Sequence, residues 1–95
     1  MIKVVAKGYI KSGQTDKFKE IASELIKKSR NEEANISYGL YEDTNNKQIL
    51  TFMEEWKSKA GLEKHMKTEH FVRIMAELGK LQEKDMDINI YTNAM

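Results

Sequence analysis

Residues 48–56, QILTFMEEW, carry apolar side chains on both parities: Leu50, Phe52 and Trp56 on one, Ile49 and Met53 on the other. Successive side chains of a strand point to opposite faces. A strand that is apolar on both faces is usually covered on both. The fold must therefore place one layer above this strand and another below it. A chain of 95 residues suits one domain, spanning residues 1–95. Domains of that size bury only about 60–70% of their unfolded surface, so a second copy of the chain is a natural source for one of the layers.

The rest of the chain supplies the other layer. Residues 2–10, IKVVAKGYI, read as a strand ended by Ser12-Gly13. From Thr15 the apolar period changes. Phe18, Ile21, Ala22, Leu25 and Ile26 form one stripe of an amphipathic helix, with Thr15 as the expected N-cap and Asp16 in the first turn. Ile36, Tyr38 and Leu40 restore period two, and Asp43-Thr44-Asn45-Asn46 is turn chemistry, so residues 36–56 read as a β-hairpin. Ser58 is expected to cap a short helix carrying Leu62, His65 and Met66. Thr68 is expected to cap a second helix, with Phe71, Met75 and Leu78 along its stripe and Ile74 and Leu81 at the edge. Residues 86–92, MDINIYT, read as the last strand. The order β-α-β-β-α-β predicts an α+β, ferredoxin-like fold, a four-stranded antiparallel sheet with its helices on one face. Because the other face is also partly apolar, the expected assembly is a homodimer packed sheet to sheet.

Composition removes several classes of function. With 16 Lys and Arg against 15 Asp and Glu, interleaved to a net +1, no basic block offers nucleic acid or an acidic membrane a surface. There are no cysteines, which excludes disulfides, thiolate metal sites and cysteine nucleophiles. Neither a signal-peptide core nor an apolar run of membrane-spanning length is present, so a cytoplasmic location is expected. The chain also lacks a Gly-rich phosphate loop, a dinucleotide fingerprint and a nucleophile elbow.

The densest stretch, EEWKSKAGLEKHMKTEHF at residues 54–71, resembles the antibiotic biosynthesis monooxygenase family, the quinol-monooxygenase-like small proteins of the dimeric α+β barrel superfamily. The resemblance rests on Glu55-Trp56 closing a strand, Leu62 with His65 as a Leu-x-x-His helix, and His70-Phe71 just beyond. It implies a cofactor-independent monooxygenase that uses dioxygen on a quinol or another small electron-rich aromatic, with no metal and no flavin. The haem-degrading branch of the superfamily relies on an asparagine, a tryptophan and a histidine at positions that here are Ala6, His65 and Met75, which speaks against haem degradation. Two other functions remain open. One is a small-molecule isomerase or proton-transfer enzyme in the same pocket, and the other is a non-catalytic dimeric ligand-binding module.

Each candidate residue has a plain structural role as its alternative. His65 is the candidate base, since an imidazole titrates near neutrality, but a buried imidazole satisfied by the backbone would look the same. Trp56 could be a flat wall for an aromatic substrate, with Tyr38, Phe52, Met66, Phe71 and Met75 around it, yet such residues more often fill a core. On an unbroken helix His70 would lie about 140° from His65, so a capping or packing role is expected for it and no metal site. Glu54 and Glu55 point to opposite faces and cannot form an acid–base pair. Asn89 and Tyr91 share a face of the last strand, where either could hydrogen-bond a ligand.

Overall fold

Asp43 organises the turn at the centre of the chain. Its Oδ1 accepts hydrogen bonds from the backbone N–H groups of Asn45 (2.8 Å) and Asn46 (3.0 Å), an Asx turn that reverses the chain without glycine. In the computed structural model, which covers residues 1–95, the strands on either side are β2 (Asn35–Glu42) and β3 (Ile49–Trp56). The other elements are β1 (Ile2–Tyr9), α1 (Thr15–Arg30), α2 (Lys59–Met66), α3 (Glu69–Gly79) and β4 (Asp87–Thr92). All strand pairs are antiparallel and the sheet order is β2-β3-β1-β4. This is the ferredoxin-like arrangement, its second helical region divided into α2 and α3.

Register explains the layering. Val4, Ala6 and Gly8 of β1 lie opposite Glu54, Phe52 and Leu50 of β3, and all six are buried beneath the helices. The core combines these with Phe18, Ala22 and Leu25 of α1 and with Ile74 and Leu78 of α3. Burying a large apolar side chain such as Phe18 contributes about 1.5–3 kcal/mol. The opposite parity, including Val5, Ile49 and Met53, faces away from every helix. Within one chain the second layer that β3 calls for is therefore absent.

The helix ends differ from expectation in one place. Thr15 is the first helical residue of α1, Gln14 occupies the cap position, and no side chain caps it. Ser58 and Thr68 do cap their helices, accepting from Gly61 N–H (3.1 Å) and Phe71 N–H (3.3 Å). The stripe of α3 is also rotated: Ile74 and Leu78 are fully buried, whereas Phe71 and Met75 are half-buried. The reason is that α3 packs against α1, which draws the Ile74 side inward and leaves the Phe71 side facing β1 and β4.

Candidate active site

The rotation of α3 leaves a gap. Between α2 and α3 on one side and β1 and β4 on the other lies a largely apolar cleft with a volume of about 50 Å³. Val4, Ala6, Ile88 and Ile90 line it from the sheet, and Met66, Phe71 and Met75 from the helices. Ile88 and Ile90 are more than half exposed because no helix extends over β4. Tyr38, Phe52, Leu62, Glu54 and His65 complete the walls. No lysine or arginine is among them.

His65 is the best-defined polar group on these walls. Ser58 starts α2 and places His65 in its last turn, under Thr68, where the ring is 1% exposed. Its Nδ1 lies 2.7 Å from Glu32 Oε2, and His70 Nε2 lies 2.9 Å from the same oxygen. A carboxylate only accepts, so each facing nitrogen carries the proton. The lone pair of His65 is thereby assigned to Nε2, which is buried and has no hydrogen-bond partner. Leaving such an atom unsatisfied costs about 1–3 kcal/mol, and native structures reserve such atoms mainly for functional positions or bound water. Aromatic rings crowd the imidazole: Trp56 at 4.4 Å, Phe71 at 4.9 Å and Tyr38 at 5.5 Å between centroids. Burial pushes the His65 pKa below its usual value, against the pull of Glu32. The ring is neutral at neutral pH.

Glu32 reaches the histidines because α2 touches the 31–34 loop. A Cβ added at Gly61 would fall well inside van der Waals contact of Ala34 Cβ, so only glycine permits this approach. Thr68 completes the arrangement. Its hydroxyl donates to His65 O (2.7 Å) while capping α3, so the break between helices turns His70 back toward Glu32. The 140° separation expected for an unbroken helix does not apply across this break. The structure brings the two histidines together on one carboxylate. Glu32, His65 and His70 are also the one grouping of three metal-ligating side chains in the chain.

Glu54 is the second polar group of the cleft. It is 6% exposed, and Trp56 Nε1–H donates to its Oε1 at 3.0 Å. Burial raises its pKa to about 7, against the opposing pull of the Trp56 bond. Tyr38, buried beside it, has its own pKa pushed up by burial and then by the Glu54 charge. Glu55 points the other way and accepts from Ser37 Oγ (2.9 Å).

Among the residues singled out from sequence, Tyr38, Phe52, His65, Met66, Phe71 and Met75 lie on the cleft walls. Trp56 does not. It is fully buried behind His65, where its indole packs on the imidazole and ties down Glu54. Asn89 and Tyr91 pair with Val5 and Lys3 on the opposite face of the sheet, so Ile88 and Ile90 meet the cleft in their place. Ala6, His65 and Met75, the positions that depart from the haem-degrading pattern, all border the cleft. Glu32 and Glu54 were missed. Glu54 shares its parity with Phe52 and Trp56, which is a usable signal, whereas nothing local marks Glu32.

Comparison with known proteins shows the family and agrees with the fold. Residues 1–77 match the model of the family described as "Antibiotic biosynthesis monooxygenase". The chain is 30% identical over 87 residues to "Putative monooxygenase YcnE" of Bacillus subtilis, covering 90% of this chain and 92% of that protein. It is also 30% identical over 82 residues to uncharacterized protein sll1783 of Synechocystis, covering 86% of this chain but only 56% of that protein's length. Among solved structures, a conserved protein from Methanosarcina mazei superposes with a TM-score of 0.95 at 37% identity, covering 97% of this chain and 91% of its own.

Proposed function

The chain belongs to the antibiotic biosynthesis monooxygenase family, and from that premise we propose that it is a cofactor-independent monooxygenase acting on a quinol or similar small electron-rich aromatic. The observation that carries this reading is His65: Nδ1 is held by Glu32, and Nε2 is buried without a partner in a ring that borders an apolar cleft. A phenolic hydroxyl of the substrate gives its proton to Nε2. The resulting anion passes one electron to dioxygen, and the pair combines at a ring carbon. Loss of the ring C–H proton and cleavage of the O–O bond leave a carbonyl on the product and release the second oxygen as water. Quinol and dioxygen thus yield hydroxyquinone and water, and the substrate supplies all four electrons. In this reading Glu54, its pKa raised by burial to about 7, gives the departing oxygen its proton. The walls are largely apolar, and a low-dielectric lining strengthens each of these electrostatic contacts.

The absence of Lys and Arg from the cleft weighs against an isomerase acting on a polar carbonyl compound. The narrowness of the cleft supports a second reading, a non-catalytic ligand-binding module. Benzene occupies cavities of roughly 150 Å³, so an aromatic ring enters here only if Met66 and Met75 swing outward. Both are unbranched and flexible, and Met66 is 42% exposed. Purified, metal-stripped protein is expected to raise oxygen consumption with a panel of quinols. His65→Ala should reduce the rate by about 100-fold or more. For the wild type, kcat/KM should fall on acidification with a midpoint below 6.5, since protonation removes the Nε2 lone pair. No oxygen uptake, or full activity in His65→Ala, overturns the reading.

A further inference from the structure

Two imidazoles directed at one carboxylate oxygen form a donor set that can hold more than protons. We propose that Glu32, His65 and His70 bind a divalent first-row transition ion, with zinc as the reference case. Their ligating atoms all lie within 4.8 Å of one another. His65 Nδ1 and His70 Nε2 already converge on Glu32 Oε2 from 2.7 and 2.9 Å. Around a tetrahedral zinc with bonds of about 2.0–2.1 Å, neighbouring donor atoms stand roughly 3.3 Å apart. Each imidazole therefore has to draw back from the carboxylate by about half an ångström, while the two ring nitrogens, within 4.8 Å of each other, settle at about 3.3 Å. Glu32 lies outside the regular elements, between α1 and β2, so its carboxylate can retreat without disturbing a helix or strand.

The chemistry of the set narrows the ion. Two imidazoles and one carboxylate suit zinc, iron(II), cobalt, nickel or copper, whereas magnesium and calcium prefer all-oxygen sites. Three protein ligands leave a coordination position for water. His70 and Glu32 are about 15% exposed, which gives the ion a route to a His65 that has none of its own. Lys57 and Lys64 border the recess beside Glu32. Their charge opposes a cation and weakens its binding.

Binding also reverses the hydrogen bonding of His65. Once the ion holds Nδ1, the neutral ring carries its proton on Nε2, which changes from acceptor to donor. Joined to the function proposed above, on which this clause alone rests, the metal-loaded protein is the inactive form.

The test needs no substrate. Chelator-treated full-length protein is titrated with zinc by calorimetry and with cobalt by visible absorption, with magnesium as control. One zinc per chain at micromolar affinity, cobalt ligand-field bands, a higher unfolding temperature with zinc and no response to magnesium are expected. His70→Ala and Glu32→Gln should each weaken zinc binding by at least about tenfold. Circular dichroism establishes that both variants fold. Should either misfold, 15N NMR of the wild-type imidazoles decides: zinc must move the signals of His65 Nδ1 and His70 Nε2. Absence of saturable binding at millimolar zinc, wild-type affinity in both folded variants, or unmoved imidazole signals overturns the proposal.

Discussion

At the scale of the residue, Glu54 shows how a strand can conceal a polar group in a core. Its carboxyl is buried and accepts from the Trp56 indole, and burial raises its pKa to about 7 from a usual 4.5. The folded state therefore favours the protonated acid. Stability from this group is complete below about pH 4.5, declines as pH rises, and is fully lost above about pH 7. The difference between 4.5 and about 7 corresponds to roughly 3 kcal/mol. Glu54→Gln keeps an acceptor for Trp56 and removes the ionisation. In urea unfolding the variant should gain up to about 3 kcal/mol over the wild type at pH 8 and converge with it near pH 4. An advantage independent of pH would show that Glu54 does not ionise at a burial cost. Parity alone, counted from Phe52 and Trp56, places Glu54 inside. His70 was less legible, because the angle between two helical positions means little when the helix stops between them.

At the scale of the element, the caps read well from sequence and the helix faces less so. Ser58 and Thr68 carry a chemical signature at one position, a hydroxyl before a helical run. Which side of α3 turns inward depends instead on α1, a neighbour some 50 residues away in sequence. Thr15 misled because a threonine is as acceptable in a first turn as before it. Thr68 has two duties, bonding Phe71 N–H ahead of it and His65 O behind it. Thr68→Ala should destabilise the protein by about 1–2 kcal/mol in thermal or denaturant unfolding, and Thr68→Ser should restore most of the loss. Equal stability of the two variants would mean that the hydroxyl holds neither helix.

At the scale of the whole molecule, the sheet is a slab with one bare face. The molecule measures 36 × 32 × 18 Å, and Val5, Ile49, Met53 and Tyr41 lie on the side without helices. Met53 and Tyr41 are 44% and 55% exposed. A face of these dimensions can supply the roughly 800 Å² per partner that a specific interface uses. We propose a homodimer, sheet against sheet, as the second layer of β3. Sedimentation at micromolar concentration should find a dimer, and Met53→Lys should shift it toward monomer by burying a charge at the contact. A monomeric wild type removes this assembly. The double apolar parity of residues 48–56 made the need for a second layer legible.

The cleft has one wall from each end of the chain. Val4 and Ala6 come from the first strand and Ile88 and Ile90 from the last, paired in the register Val4↔Ile90 and Ala6↔Ile88. The β2–β3 hairpin joins residues close in sequence, whereas β1 and β4 pair across all the elements that lie between them. Such contacts carry the largest closure entropy and form late in folding. On a ribosome, the hairpin can form while synthesis continues, but the cleft must wait for β4 to emerge. A ligand of the cleft therefore senses only chains in which β4 has docked, and a chain with β1 and the hairpin alone is invisible to it.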